Sequence, residues 1–256
     1  MSQNESVYRV FGMELSPYSV KVRSYVRYKG IPHQWIVRNA SNQGEFQKYA
    51  KLPLVPLVVT PEGQGLQDST PIIEALEERF PEPAVHPADP TLRFLSALLE
   101  EFGDEWGNKW MFHYRWAREV DQRSGAERLV RGMLPGVEGE ALREAADAVR
   151  QRMVGRVWFV GSSPETAPQI EASYLATLEL LEAQLAPRPY LFGGRPVFAD
   201  FGLWGQLYEA GSDPTPGGLL RERAPSVARW VERMLSPRAE GELETWSALA
   251  PTLTPL

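Results

Sequence analysis

No cysteine occurs anywhere in the 256-residue chain, which excludes disulfides, protein thiol nucleophiles and thiolate metal sites together. Any sulfur chemistry must therefore arrive with a ligand. No run approaches the roughly 18 apolar residues of a membrane span. Met1-Ser2-Gln3-Asn4-Glu5-Ser6 lacks the basic-then-apolar pattern of a secretory signal, so the cytoplasm is the expected compartment. Positive charge is also short: 27 Lys and Arg stand against 33 Asp and Glu, a formal net charge of -6, and no global field draws in nucleic acid. Zinc-ligand spacing, repeats and low-complexity tracts are missing as well. We expect no metal, no nucleic acid and no membrane.

What is present is an ordinary core-forming composition, 43% hydrophobic and 23% charged, long enough for one large or two ordinary domains. Val7 to Phe11 alternates like a strand, and Tyr18, Val22, Tyr25 and Val26 then repeat at helical spacing. Between them Ser16 has the chemistry of an N-cap and Pro17 that of a first helical residue, while Lys29-Gly30 supplies a stop. A helix N-terminus gathers unpaired N-H groups and the positive end of the dipole, so an anion beside Ser16 would be stabilised. An extended run restarts at His33 to Val37, and a short polar helix is predicted over Gln43 to Tyr49. Val55 to Thr60 and Gly65 to Gln67 flank a Pro61-Glu62-Gly63-Gln64 turn as a hairpin. Asp68-Ser69-Thr70-Pro71 opens a helix that Pro81 ends. The order β-α-β-α-β-β-α reads as an α/β domain.

Prolines at 81, 83, 87 and 90 mark a stiff boundary, beyond which strand signals nearly vanish. Helical patterns cover Leu92 to Phe102 and on through Trp116, Gly139 to Met153, Gln169 to Leu185, Ala199 to Tyr208 and Ser226 to Leu235. Arg115, Arg118, Arg123, Arg128 and Arg131, mixed with acidic residues, read as a solvated face. Gly155 to Gly161 is either a strand-like insertion or a buried loop.

Four motifs in this order resemble the glutathione transferase superfamily, in a serine-type, cytosolic-like bacterial form. Ser16-Pro17-Tyr18-Ser19-Val20-Lys21-Val22-Arg23 is similar to its activation segment; Val55-Pro56 to its cis-proline dipeptide; Asp68-Ser69 to its acidic-Ser pair. Gly193 to Leu203 is similar to its buried helix start, with Val197 in the capping place. The resemblance implies a thioredoxin-like, glutathione-binding domain over residues 5–84 and an all-helical bundle over 91–256. It further implies that Ser16, with Ser19 in reserve, faces the thiol of glutathione, that Val55 and Pro56 present backbone to its cysteinyl group, and that Asp68 and Ser69 hold its γ-glutamyl end. Leu54 stands where many members carry Lys or Gln.

Each motif has a plainer reading beside the sharp one. Ser16, Asp68 and Ser69 serve equally as helix caps, and Pro56 as a trans edge-strand proline. Phe102, Trp106, Trp110, His113 and Ala117 recur at one helical turn, which is first of all core packing. The resemblance offers a second role, placing Trp106, Trp110, His113 and Tyr114 around an electrophile pocket.

The resemblance thus implies a glutathione transferase, with glutathione as cosubstrate, a small hydrophobic electrophile as second substrate and a homodimer as the assembly. Two alternatives stand beside it. One is a noncatalytic binding or scaffold protein of the same fold; the other is glutathione-dependent disulfide or peroxide reduction by ligand-to-ligand exchange, since no protein cysteine exists for a mixed disulfide.

Overall fold

The computed structural model describes residues 7–256; Met1 to Ser6, including the first two residues of the expected first domain, lie outside the described residues. Strand β1 (Tyr8–Gly12) is followed by helix α1 (Pro17–Tyr28), β2 (His33–Val37), α2 (Gln43–Tyr49), β3 (Leu57–Val59), β4 (Gly65–Gln67) and α3 (Ser69–Arg79). The sheet order is β2-β1-β3-β4, with β1 and β2 parallel and the other pairs antiparallel. Val10 from the sheet meets Val20, Val22, Tyr25 and Val26 of α1 and Ile72, Ile73 and Leu76 of α3 in one buried core. A second small core beneath the opposite face gathers Phe11, Phe46, Leu57 and Val59.

The remainder is helical, as expected: α4 (Pro90–Phe102), α5 (Asn108–Ala117), α6 (Glu119–Met133), α7 (Gly139–Val154), α8 (Ala167–Leu185), α9 (Phe198–Gly211), α10 (Pro214–Arg223), α11 (Pro225–Arg233) and α12 (Trp246–Leu253). Of these, α10 and α12 lie outside the patterns read from the sequence. Three details differ from the sequence reading. The run from Leu92 through Trp116 is broken by a π-helical turn at Gly103–Gly107, where α9 passes so close that a Cβ on Gly103 would lie 2.7 Å from the Leu203 nitrogen. The arginine-rich stretch is a full helix, α6, paired with α7 around Trp116, Ala126, Val130, Leu142 and Val149. Residues 155–161 are neither strand nor buried loop: Val157–Val160 is a 3-10 turn with Trp158 and Phe159 exposed.

Helix α9 joins the two halves. Its flanks pack on α1, α4 and α5, and at Gly205 its backbone comes so near α1 that an added Cβ would lie 2.6 Å from the Pro17 carbonyl oxygen. Val197 cannot cap α9 with its own side chain. Instead buried Asp200 accepts from Val197 N (2.9 Å), Leu191 N (3.0 Å) and Trp230 Nε1 (2.9 Å). Burial pushes the Asp200 carboxyl up to about 7, against the pull of those donors.

Removing this carboxyl orphans three buried donors, each costing at least about 1 kcal/mol. Asp200→Ala is therefore expected to lower unfolding free energy by at least about 3 kcal/mol, read as a drop in the urea midpoint; a midpoint within error of wild type would refute the anchoring role.

Candidate active site

One row across the sheet assembles the site. Phe11 of β1 pairs with Leu57 of β3, and Leu57 pairs with Gln67 of β4. From the same end of these adjacent strands, about 4.8 Å apart, the chain runs on to Ser16, back to Val55-Pro56, and on to Asp68-Ser69. Three segments distant in sequence thus emerge side by side.

At the first, Ser16 has extended backbone angles (φ -109°, ψ 112°), and its Oγ accepts the N-H of Ser19 at 3.2 Å. That bond uses an oxygen lone pair and leaves the hydroxyl proton free to donate. Ser16 is half-buried, whereas Ser19 is fully buried. The loop leading into Ser16 is held on both sides. Glu14 accepts both Arg23 Nη1 bonds (2.9 and 2.8 Å) and one from Trp35 Nε1 (2.7 Å), and Arg115 Nη1 donates to the Leu15 carbonyl at 3.2 Å.

At the second segment the Val55-Pro56 bond is cis. The loop before it is clamped by Gln67, which accepts from Lys51 N (2.6 Å) and Leu52 N (3.0 Å) and donates to the carbonyls of Leu52 and Leu54, each at 2.9 Å. The side chain of Leu54 is exposed. At the third, Asp68 has φ 73°, a left-handed conformation uncommon outside glycine and costing of order 1 kcal/mol or more. It stands at the N-cap of α3 without a side-chain capping bond, so its exposed carboxylate is uncommitted.

Beneath these segments lies a charge cluster absent from the sequence reading. Lys21 of α1 is completely buried, pairs with Glu100 of α4, and donates to Asp104 Oδ2 at 2.6 Å and Thr70 Oγ1 at 3.0 Å. Ser69 Oγ reaches Asp104 Oδ2 at 3.5 Å, and the Tyr18 hydroxyl donates to the Asp104 carbonyl at 3.1 Å. Burial pushes the Asp104 carboxyl up to about 6, partly offset by Lys21. A helical projection carries the signal that finds Lys21: it falls one turn from Tyr18 and from Tyr25.

Beside the Ser16 loop opens a cleft of about 410 Å³, walled by Met13, Leu15 and Val37 on one side and by Leu129, Gly132 and Tyr208 on the other. Its far wall is α6 together with α9. Trp106, Trp110, His113 and Tyr114 are not among its lining residues. Trp110, His113 and Tyr114 are buried, and Trp106 and Trp110 both donate through Nε1 to Ser173 Oγ, at 2.7 and 3.1 Å. His113 bonds Ser162 Oγ (2.8 Å) and Glu171 Oε1 (3.1 Å). Arg115, read from sequence as part of a solvated face, is also buried, because Glu209 and Asp213 neutralise it inside the helical domain. No cluster of side chains suited to hold a metal occurs among the described residues.

Breaking a buried ion pair by removing one partner costs about 3–5 kcal/mol. Lys21→Met should lower stability by about that much while the far-UV spectrum stays native at low temperature; a loss below about 1 kcal/mol would show that Glu100 and Asp104 need no cation.

Residues 10–84 match the family model for the glutathione S-transferase N-terminal domain, and residues 137–233 that for the glutathione S-transferase C-terminal domain. Isoprene-epoxide–glutathione S-transferase of Rhodococcus sp. (strain AD45) is 22% identical over 234 residues, spanning 86% of this chain and 92% of that protein. Pig glutathione S-transferase omega-1 is 34% identical over 103 residues, 40% of this chain and 42% of that one. The solved structure of beta-etherase LigF from Sphingobium sp. strain SYK-6 superposes with a TM-score of 0.64 at 19% identity, covering 97% of this chain and 99% of its own. A Methylobacterium radiotolerans glutathione S-transferase solved with glutathione sulfonate gives a TM-score of 0.56 at 18% identity, covering 97% and 95%.

Proposed function

Because the chain belongs to the glutathione S-transferase superfamily, we propose that it binds glutathione along the sheet end just described and ionises its thiol at Ser16 for attack on a small apolar electrophile. The observation that carries this reading is the convergence of Ser16, Val55-Pro56 and Asp68-Ser69 on one row of three strands. In this reading the Val55 backbone, ahead of the cis bond to Pro56, pairs with the cysteinyl group, the free Asp68 carboxylate takes the ligand's ammonium, and Ser69 with the α3 amides takes its carboxylate.

The energetic demand on Ser16 is small. A thiol of pKa about 8.5 is only about 3% ionised at pH 7, and a fall of about two units raises that to about three quarters. Two units are about 2.7 kcal/mol. A hydrogen bond to a charged acceptor contributes about 1.5–3 kcal/mol and a helix N-terminus about 0.3–1 kcal/mol. The half-buried Ser16 hydroxyl at the start of α1 combines both, which favours it over the fully buried Ser19. The cleft beside it would take the electrophile, with α6 as the far wall and the Trp106–Tyr114 helix packed behind as support. Reduced glutathione is held in the cytoplasm, where we place the enzyme.

A second reading, a protein that keeps the fold without turnover, draws on Leu54, an exposed apolar residue beside the cysteinyl position. Retention on a glutathione column together with turnover of a generic aromatic electrophile separates the two: binding with turnover supports the enzyme, and no binding at millimolar glutathione, or binding without turnover, supports the second reading. The surfaces also favour a homodimer: Leu52 and Leu54 in the loop before β3 and Phe94 and Leu98 on α4 are large, apolar and exposed. Phe94→Asp is expected to convert a sedimenting dimer to monomer; an unchanged sedimentation coefficient would remove α4 from the interface.

Ser16→Ala should raise the pKa of bound glutathione by one to two units, read as loss of thiolate absorbance near pH 7, and lower kcat about 10- to 100-fold with little change in affinity. Asp68→Ala should do the reverse, weakening affinity about 10-fold or more without moving the thiol pKa. Identical behaviour of the two variants would contradict the division of roles.

A further inference from the structure

The turn between α7 and α8 takes no part in the site just described, yet it carries two large apolar side chains that nothing in the chain covers. Trp158 is 67% exposed and Phe159 59%, and their rings meet edge to face with centroids 4.3 Å apart. A single exposed apolar residue is ordinary, whereas an adjacent aromatic pair makes a patch. The turn that presents it is held fast. Val160 is buried behind the pair, Gly161 turns left-handed (φ 74°) and donates to the Trp158 carbonyl at 2.9 Å, and Ser162 Oγ bonds His113 of α5 at 2.8 Å. Thr166 Oγ1, at the start of α8, donates to the Gly161 carbonyl at 2.6 Å. Little ordering is left for a partner to impose.

The same corner is basic in an acidic chain. Between Asp147, whose carboxylate lies 3.4 Å from Arg150, and Glu165 stand Arg150, Arg152 and Arg156 and no acidic residue. Glu165 is engaged by Ser163 Oγ at 2.6 Å. Arg152 and Arg156 are exposed and meet no carboxylate among the described residues. The Arg156 guanidinium lies over the Phe159 ring, its Cζ 5.9 Å from the centroid.

We propose that this turn is a docking surface for a bilayer with anionic headgroups, in which Trp158 and Phe159 enter the boundary between headgroups and acyl chains while Arg152 and Arg156 meet the phosphates. Aromatic rings favour that boundary, and a guanidinium matches a phosphate. The cytoplasmic leaflet supplies the complementary charge. The formal net charge of -6 repels such a plane from the molecule as a whole and leaves its orientation to the basic corner. A protruding pair of rings suits a fluid interface, whereas a folded partner would need a pocket shaped to both. No helix among the described residues is long and apolar enough to cross a membrane, so the contact is with the surface alone. The expectation of no membrane, drawn from the want of a span, does not reach contact of this kind.

The test is sedimentation of the full-length protein with vesicles of phosphatidylcholine alone or mixed with phosphatidylglycerol. We expect binding about tenfold or more stronger with the anionic vesicles, and its release by raised salt. Arg152→Gln and Arg156→Gln should each weaken binding about fivefold, and Trp158→Ala about tenfold or more, whereas Trp158→Phe should keep most of it. Brominated acyl chains should quench part of the fluorescence of wild type and leave that of Trp158→Phe unquenched. These side chains lie on the surface, so an unchanged urea midpoint qualifies each variant for comparison. No pelleting with anionic vesicles, equal pelleting with neutral ones, or binding indifferent to all of the substitutions overturns the proposal. Self-association without vesicles that Trp158→Ala abolishes, in a protein that no vesicle pellets, gives the turn to a second copy and overturns it too. Neither glutathione nor turnover enters the readout, so these outcomes are separate from the fate of the transferase reading.

Discussion

Lys21 is sealed between the two halves of the molecule, and the arrangement of the candidate site depends on its compensation. An ammonium removed from water is tolerable only where anions and acceptors meet it at hydrogen-bond distance. Here Glu100 and Asp104 come from the helical half and Thr70 from the start of α3, while the lysine itself belongs to α1. The positions of α1, α3 and α4 are therefore tied to one another by a single charge. Both helix N-termini proposed to meet glutathione, those of α1 and α3, lie on elements that this charge fixes.

Close backbone approach completes the same constraint. Gly205 lets α9 reach the Pro17 carbonyl, and Gly103 lets the π-helical turn reach α9. The helical half can thus touch the Ser16 loop directly, through Arg115 and the Leu15 carbonyl. For the proposed hydrogen bond from Ser16 to a thiolate this matters, because such a bond weakens over a few tenths of an ångström. Glu14, pinned by Arg23 and Trp35, limits the loop from the other side. The cleft is then a consequence of packing: α6 crosses over Arg115 at Gly125, where an added Cβ would lie 2.9 Å from Arg115 Cγ, and so stands opposite the loop.

Much of the first half is legible in the sequence. Ser16, Pro17 and Lys29-Gly30 bracket α1 because capping is local chemistry, and the Pro61–Gln64 turn announces β3 and β4. The helical half was legible in outline only. Helix α6 is hidden in the sequence because arginine and glycine dilute its apolar stripe, and Arg115 reads as solvated because its neutralising partners lie about 100 positions away. Trp110, His113 and Tyr114 looked equally suited to a pocket or a core, since helical spacing reports a shared face without reporting what covers it.

By itself the sequence determined the order of elements in the first half, the start and stop of α1, and the want of any protein thiol, because each follows from residue type or from hydrogen bonds between near neighbours. Only the tertiary structure decided which charges are buried, which aromatic rings stay exposed, and which helix walls the cleft. Those properties depend on distances between groups far apart along the chain, and burial is created by packing that no single segment contains.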